Sequence, residues 1–444
     1  MAVPKAGSEP LPDLAAFLEP FADLVHRSES REAMERYTTG LLSDLQHKNA
    51  SEMGRSLPAT SGQKLQEFLT RTRWDPWAMD RLRIERMRRD AAVGSGALVI
   101  DDTGFAKKGR SSVGVTRQYS GTLGRVDNCQ ILVTSHYVDR VFDWPVTGQL
   151  YVPKSWADDA ERRERAQVPE GLGFQTKGEI ALHLVDQALA AEVPFEAVVA
   201  DAGYGDQPSF LNGLEARNRS YLVGVNITTP FRRAEEVESD PGDPPPPPYR
   251  GQGRPRLASR LKDRIPAREA QRLFAERLEQ EWTRVAWREG SRGVLVKEAA
   301  RLRVYRSGNR GEALPGTGWL IAERGVRGDE REIKYFFAWG LDELGLEELI
   351  ELAHVRWVVE RFYQDAKGQL GLDQYEGRLW QGFHRHVALV MLAHCYLTLR
   401  QAYGATGTSP PPDSGGTIRK PPPARGFPPS GSAQRGRTPA RRYH

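Results

Sequence analysis

Residues 97–104 read ALVIDDTG, and this stretch decides the fold. Its four apolar residues are too few for a helix and suit a short buried strand that ends at two aspartates. Residues 195–203, FEAVVADAG, repeat the arrangement, with an apolar run that passes directly into Asp201. Carboxylates at buried strand ends are costly unless they are paired or bound to a cation. Each aspartate alone could equally be a turn residue bonded to its own backbone.

The segments around these two strands predict a mixed α/β sheet. Residues 113–119 and 129–137 predict a hairpin, because the glycines between them supply turn residues. After it come a predicted amphipathic helix over 177–191, the strand over 195–200, and then a helix over 209–217 and a strand over 221–225. Antiparallel strands followed by this alternation are typical of the α/β class.

A third acidic residue lies on a helix predicted to run from Leu346 toward Leu370. The apolar stripe of this helix turns ionic partway along, at Arg356, Glu360 and Lys367, which share one face. A helix that leaves the core and exposes a salt-bridged end would show the same pattern. Alternatively, the carboxylates of Asp102, Asp201 and Glu360 meet in one cleft. Such a cleft favours magnesium over calcium, because magnesium takes few protein carboxylates.

Composition sets wide bounds on function. The 444 residues carry a net charge of +5, which favours an acidic partner such as nucleic acid but also fits an ordinary basic protein. Two cysteines without paired-ligand spacing predict neither a disulfide framework nor a zinc site. No secretory signal and no apolar run of about 18 residues is present, so we expect a cytoplasmic protein without a membrane span.

The chain resembles the insertion-sequence DDE transposases of bacteria. The shared features are two aspartates on strands, a long β insertion and a glutamate on a helix. Many members share a helix motif Tyr-x2-Arg-x3-Glu-x6-Lys. This chain matches it with Arg356, Glu360 and Lys367, and has Ala353 at the tyrosine position. The stretches DDTGFAKKG, over 101–109, and VTRQYSG, over 115–121, are similar to one subgroup of these transposases.

The resemblance implies an α/β, RNase H-like mixed sheet interrupted by a β-rich insertion, with an N-terminal helical DNA-binding region. It implies the following regions: helical DNA-binding region 1–93, first part of the catalytic core 94–226, proline-rich linker and β-rich insertion 227–342, C-terminal core helices 343–405, and a basic tail 406–444. The tail has seven Lys or Arg and no acidic residue from Ser414 onward, which predicts disorder.

The resemblance also implies the chemistry. Asp102, Asp201 and Glu360 would hold two Mg²⁺ ions, with Mn²⁺ as a substitute, while Arg356 and Lys367 contact the DNA backbone. Asp102 is chosen over Asp101 because the family's aspartate precedes a threonine and because Asp101 points to the opposite face of the strand. The reaction would be nicking at terminal inverted repeats, followed by attack of the 3′-hydroxyl on target DNA. A homodimer in the complex with double-stranded DNA is also implied.

The last helix of the N-terminal region is rich in arginine. Several short helices with a basic last member suit a DNA-binding module, although a helical bundle with a solvated basic face fits equally well. The expected phosphate contacts are Arg81, Arg83, Arg86, Arg88 and Arg89.

Three other functions compete with a transposase. They are a transposase-derived DNA-binding protein without catalysis, another RNase H-like nuclease, and a sugar-active enzyme with paired carboxylates. Arg356 and Lys367 favour phosphate over sugar as the ligand of the site.

Overall fold

The computed structural model describes residues 11–122, 124–240, 264–275, 281–290, 293–308, 312–326 and 333–404. The proline run 244–248 and the basic tail from residue 406 lie outside these ranges, as do the predictions made for them. A search of the described helices for a membrane-crossing segment, one both long and apolar enough, finds none.

The described strands form one mixed sheet of twelve strands. Its order is β2-β3-β1-β5-β6-β12-β11-β10-β7-β8, with β4 paired to β3 and β9 to β10. The strands are β1 Gly96–Ala106, β2 Thr116–Ser120, β3 Arg125–Val138, β4 Asp143–Leu150, β5 Phe195–Ala200, β6 Ser220–Val225, β7 Pro230–Arg233, β8 Arg268–Glu269, β9 Thr283–Gly290, β10 Gly293–Ser307, β11 Ala313–Arg324 and β12 Lys334–Trp339.

The helices of the described residues begin with an N-terminal group and end with the longest one. They are α1 Pro12–Leu18, α2 Ser28–Leu42, α3 Ala50–Ser56, α4 Gly62–Thr70, α5 Pro76–Asp90, α6 Lys154–Ala157, α7 Ala160–Arg165, α8 Lys177–Ala190, α9 Ala202–Gly205, α10 Pro208–Ala216, α11 Ala234–Glu238, α12 Ala270–Ala275, α13 Leu346–His354, α14 Trp357–Gly368 and α15 Trp380–Tyr403. A 3₁₀ turn, Glu19–Leu24, follows α1.

The centre of the sheet is parallel, because β5 pairs in parallel with β1 on one side and with β6 on the other. The apolar runs that predicted β1 and β5 are fully buried, with Val99 and Val199 each at most 1% exposed. The remaining pairs are antiparallel. The predicted α/β class with an RNase H-like mixed sheet and an N-terminal helical region is therefore confirmed.

Strand β4 was not predicted, because Pro145 and Gly148 interrupt its apolar pattern. It pairs with β3, and the register shifts between Ser135 and His136, next to the proline. Such an irregularity accommodates a residue that cannot donate to the ladder.

The β-rich insertion extends the core sheet rather than forming a separate one. Strand β12 pairs with β6, with Phe337 opposite Val223, and the ladder continues through β11 and β10. Residues 293–296 and 302–305 both belong to the single strand β10.

The helix predicted from Leu346 toward Leu370 is two helices. Between α13 and α14 the amide of Val358 donates to the carbonyl of Val355, and that of Val359 to the carbonyl of Arg356, at 3.1 and 3.0 Å. These three-residue spacings tighten the turn. Arg356 lies at this junction, one turn before Glu360.

The N-terminal helices pack on α15 through buried polar contacts. The Tyr37 hydroxyl lies 2.9 Å from Nδ1 of His386, and the Arg385 guanidinium donates to the carbonyls of Leu69 and Trp74. Strand β4 is held in the same way, because its Leu150 amide donates to Nε2 of His384 at 3.2 Å. The long helix α15 thus contacts both the N-terminal helices and strand β4.

We expect the buried histidines to make the fold acid-sensitive. Burial lowers the pKa of His136 to about 3 and those of His384 and His386 to about 4. The unfolded chain takes up these protons near pH 6.5, so the free energy of unfolding falls as the pH drops from about 6.5 toward 4. The slope should be about 1 kcal/mol per pH unit shallower in His384→Gln. Urea denaturation at several pH values measures it, with the exposed His183→Gln as the control. An unchanged slope in His384→Gln would contradict this origin.

Candidate active site

The parallel register of β1 and β5 brings two aspartates side by side. Ile100 pairs with Ala200, so Asp101 and Asp201 follow at the same level on neighbouring strands. Residues in register on adjacent strands project to the same face of a sheet. Asp201 also caps the short helix α9, accepting from the amide of Tyr204 at 3.3 Å. A Cβ at Gly205 would overlap the carbonyl oxygen of Gly224, so glycine is required where α9 approaches β6.

The helix that carries Glu360 packs on the face of Asp101. Thr134 of β3 is the register partner of Asp101, and its hydroxyl lies 2.5 Å from the hydroxyl of Tyr363 on α14. The same threonine contacts Nε2 of His136 at 2.8 Å. This buried hydroxyl–imidazole chain fixes α14 against the sheet at the level of the aspartates.

The guanidinium of Arg356 lies among three carboxylates. Its Nη1 donates to Asp101 at 2.9 Å and lies 4.0 Å from Asp201, while Nη2 donates to Glu360 at 3.2 Å. Glu360 itself is largely exposed, with 65% of its side chain accessible, whereas Asp101 is 12% accessible. Arg356 therefore joins a buried strand carboxylate to an open helical one.

Asp102 lies on the other face of β1 and has different partners. The ammonium of Lys177, the first residue of α8, lies 3.0 Å from its carboxylate, and the hydroxyl of Tyr204 lies 3.4 Å away. The choice of Asp102 over Asp101 stays a prediction. In the structure Asp101 lies with Asp201 and Glu360 around Arg356. Asp102 reaches the same cavity from the α8 side.

The carboxylates described above and the Arg356 guanidinium line one cavity of about 730 Å³. Four carboxylates line it, together with Lys177, Arg356 and Lys367. The ammonium of Lys367 lies 3.1 Å from the carbonyl of Gly104 and over the ring of Phe105. Sequence reasoning did not find Lys177, Tyr204 or Tyr363, because no periodic pattern distinguishes them from ordinary helix residues.

The electrostatics of the cavity follow from burial and from these pairs. Burial raises the pKa of Asp101 to about 7, because desolvation and repulsion by Asp201 outweigh the attraction of Arg356. Burial acts to lower the pKa of Arg356, but the nearby carboxylates raise it overall. Burial also holds the pKa of Tyr204 and Tyr363 well above the usual range, so both hydroxyls remain donors.

The carboxylates supply the hard oxygen donors that magnesium prefers, but their arrangement does not enclose a cation. Over the described ranges, no three or more Asp, Glu, His or Cys side chains are grouped so that they could hold a metal ion. The Arg356 guanidinium lies between Asp101, Asp201 and Glu360.

The comparisons with known proteins show the family of the chain. Residues 20–294 match the family model of the DDE superfamily endonucleases, and this chain belongs to that family. Members generally use divalent metals. The match includes Asp101, Asp102 and Asp201 and ends before Glu360.

A curated relative aligns with part of the chain. Over 197 residues the chain is 32% identical to the "Probable transposase for insertion sequence element IS701" of Microchaete diplosiphon. The aligned region covers 44% of this chain and 49% of the relative, so the chain spans about half the length of the relative it matches. The predicted resemblance to insertion-sequence DDE transposases is confirmed.

The arginines predicted to contact DNA differ widely in exposure. Arg83 is 1% exposed, pairs with Asp80 at 2.7 Å and donates to the carbonyl of Val146. Arg86 is also buried, donating to the carbonyl of Phe17. Helical periodicity turns the Arg83 and Arg86 side chains toward the core. Because both side chains are buried, they cannot contact a DNA phosphate.

The other three arginines of α5 reach the surface. Arg88 pairs with Glu192, and Arg89 pairs with Asp90 while staying 67% accessible. Arg81 is equally accessible and lies 3.8 Å from Asp75. The prediction of phosphate contact stands for these three.

Arg83→Met should destabilise the protein by about 3–5 kcal/mol, because it leaves Asp80 as a buried charge without its cation. Arg81→Gln on the same helix should change the free energy of unfolding by less than about 0.5 kcal/mol. It should also reduce the salt slope of DNA binding by about 1. Urea denaturation and DNA titrations at several salt concentrations measure the two effects. Equal stability of the two variants would contradict a structural role for Arg83.

Proposed function

We propose that this protein is a transposase that cleaves the ends of an insertion sequence and joins the 3′-hydroxyl ends to target DNA. The observation that carries the proposal is the carboxylate cluster around Arg356, next to the point where the parallel pairing of β1 with β5 ends, in a DDE superfamily endonuclease. Terminal inverted repeats and target DNA are the proposed partners. We also propose a homodimer in the DNA complex, which the family resemblance implies, and a cytoplasmic location, which is the expectation from the sequence.

The proposed metal ligands are the carboxylates of the cavity. Asp201 and Glu360 come from the sequence pattern, as does Asp102. The shared face and the common contact with Arg356 support Asp101 as the β1 carboxylate that acts with Asp201 and Glu360. Divalent cations, two Mg²⁺ with Mn²⁺ as a substitute, would supply charge that activates the attacking hydroxyl and stabilises the leaving oxygen.

The cationic side chains of the cavity have the chemistry to bind and orient the DNA strand. The Arg356 guanidinium can contact a phosphate with two parallel donors, and Lys367 adds a point charge two turns further along the helix. Lys177 neutralises Asp102 and so limits the negative charge that an incoming phosphate meets. Tyr204 and Tyr363 keep their protons and hold the carboxylate face in position.

Glu360→Gln should abolish magnesium-dependent cleavage while leaving binding of end DNA intact. The loss should be at least about a hundredfold, the order expected when charge stabilisation of the transition state is removed. A labelled duplex carrying the terminal inverted repeat of the parent element measures both steps. Asp365→Asn, an exposed carboxylate on the same helix, is the matched control and should cleave normally.

This assay also separates the competing functions. A transposase-derived binding protein would bind the repeat and never cut it, in wild type and variants alike. Another RNase H-like nuclease would cut duplexes that lack the repeat just as well. Either result would contradict the proposal.

The two neighbouring aspartates of β1 give a second prediction. Asp101→Asn should remove cleavage as fully as Asp201→Asn, because both share the face of Glu360. Asp102→Asn should lower the rate and retain measurable cleavage, because its charge is already neutralised by Lys177. Single-turnover cleavage of the repeat duplex distinguishes them. An active Asp101→Asn variant beside an inactive Asp102→Asn variant would contradict this assignment and support Asp102, the residue chosen from the sequence.

A further inference from the structure

We propose that Arg356 exchanges between the carboxylates of the active site and a phosphate of the DNA. In this way it makes cation binding and DNA binding depend on each other. The proposal rests on the proposed function, because it takes Asp101, Asp201 and Glu360 as the cation ligands. It assigns Arg356 a positioning role that a simple phosphate contact does not include.

The geometry makes the guanidinium and a cation competitors for the same oxygens. Arg356 donates to Asp101 and Glu360 at 2.9 and 3.2 Å and lies 4.0 Å from Asp201. A divalent cation among these oxygens would lie within a few ångströms of a fixed positive charge. The repulsion in a partly buried site is strong, because the effective dielectric constant there is well below that of bulk water. Cation binding therefore requires the guanidinium to leave.

The charge of the cavity explains why a DNA phosphate would attract the Arg356 guanidinium away from the carboxylates. Four carboxylates and three cationic side chains line the cavity, so its fixed charges nearly cancel. Lys177 is held by Asp102, and Lys367 lies against the carbonyl of Gly104. Adding divalent cations to such a site produces an excess of positive charge. A DNA phosphate both offsets that excess and offers Arg356 a bidentate partner.

Arg356 also has space to move into. A second cavity of about 400 Å³ adjoins the first, and Asp201, Arg356 and Glu360 line both. Arg356 thus lies between the two cavities. Its side chain is 27% accessible, and it extends from the tightened turn between α13 and α14 rather than from the middle of a helix. The proposal requires this side chain to rotate out of the carboxylate cluster, and the second cavity offers space for that rotation.

The test is Mn²⁺ binding to the full chain, measured by isothermal titration calorimetry with and without a twelve-nucleotide thymidine oligonucleotide. Arg356→Gln should bind Mn²⁺ about fivefold or more tightly than wild type when the oligonucleotide is absent, which is the scale of ordinary coupling between sites. The oligonucleotide should tighten Mn²⁺ binding to wild type but have little effect on Arg356→Gln.

Arg361→Gln is the matched control. Arg361 follows on the same helix and carries the same charge, but it pairs with Asp143 and lines neither cavity. This variant should behave as wild type in both titrations. Thermal melting checks folding, and Mn²⁺ should raise the melting temperature of Arg356→Gln more than that of wild type. Arg356→Lys keeps the charge without the planar fork and should give an intermediate affinity.

Two outcomes separate failure of this proposal from failure of the proposed function. If Asp201→Asn lowers Mn²⁺ affinity while Arg356→Gln leaves it unchanged or weaker, the site is correct and the exchange is overturned. If Asp201→Asn and Glu360→Gln both bind Mn²⁺ as wild type does, the carboxylates are not the cation ligands. The proposed function and the exchange then fall together.

Discussion

Everything at this site depends on the parallel pairing of β1 with β5. That register sets Asp101 beside Asp201 on one face of a buried sheet, where two carboxylates repel each other and lose hydration. A cation beside the pair offsets this cost. In this fold the cation is a guanidinium placed by the tight turn between two helices. The sheet register brings the two carboxylates together, and the break between α13 and α14 places the guanidinium that offsets their repulsion.

Local sequence predicted the elements whose patterns are strong. The strand before Asp201 and helices α8 and α10 lie within a few residues of where hydrophobic periodicity indicated them. Strand β4 was missed because Pro145 and Gly148 obscure its alternation, and only pairing with β3 makes it a strand. The division of the helix at Arg356 was missed because a tightened turn does not alter the spacing of apolar residues.

At the site, sequence indicated the right residue types but not their partners. Alternation along β1 shows that Asp101 and Asp102 face opposite ways, yet it does not say on which face α14 packs. That depends on contacts between distant segments, such as the one between Thr134 and Tyr363. The same limit applies to α5, where an arginine-rich stretch indicated a basic surface and two of its members are buried. Composition gives the number of charged residues, whereas packing determines which of their side chains are exposed to solvent.

The junction between the insertion and the core has a consequence for how this fold can vary. Strand β12 closes the insertion, pairs with β6 and leads within a few residues into the helices that carry Arg356 and Glu360. A change of one residue in β12 would turn its whole apolar set to the other face of the sheet. It would also shift the start of those helices. Length changes are far easier to absorb at the hairpin ends remote from β6. Diversity among relatives should therefore concentrate at the outer end of the insertion, while its root next to the core keeps a constant length.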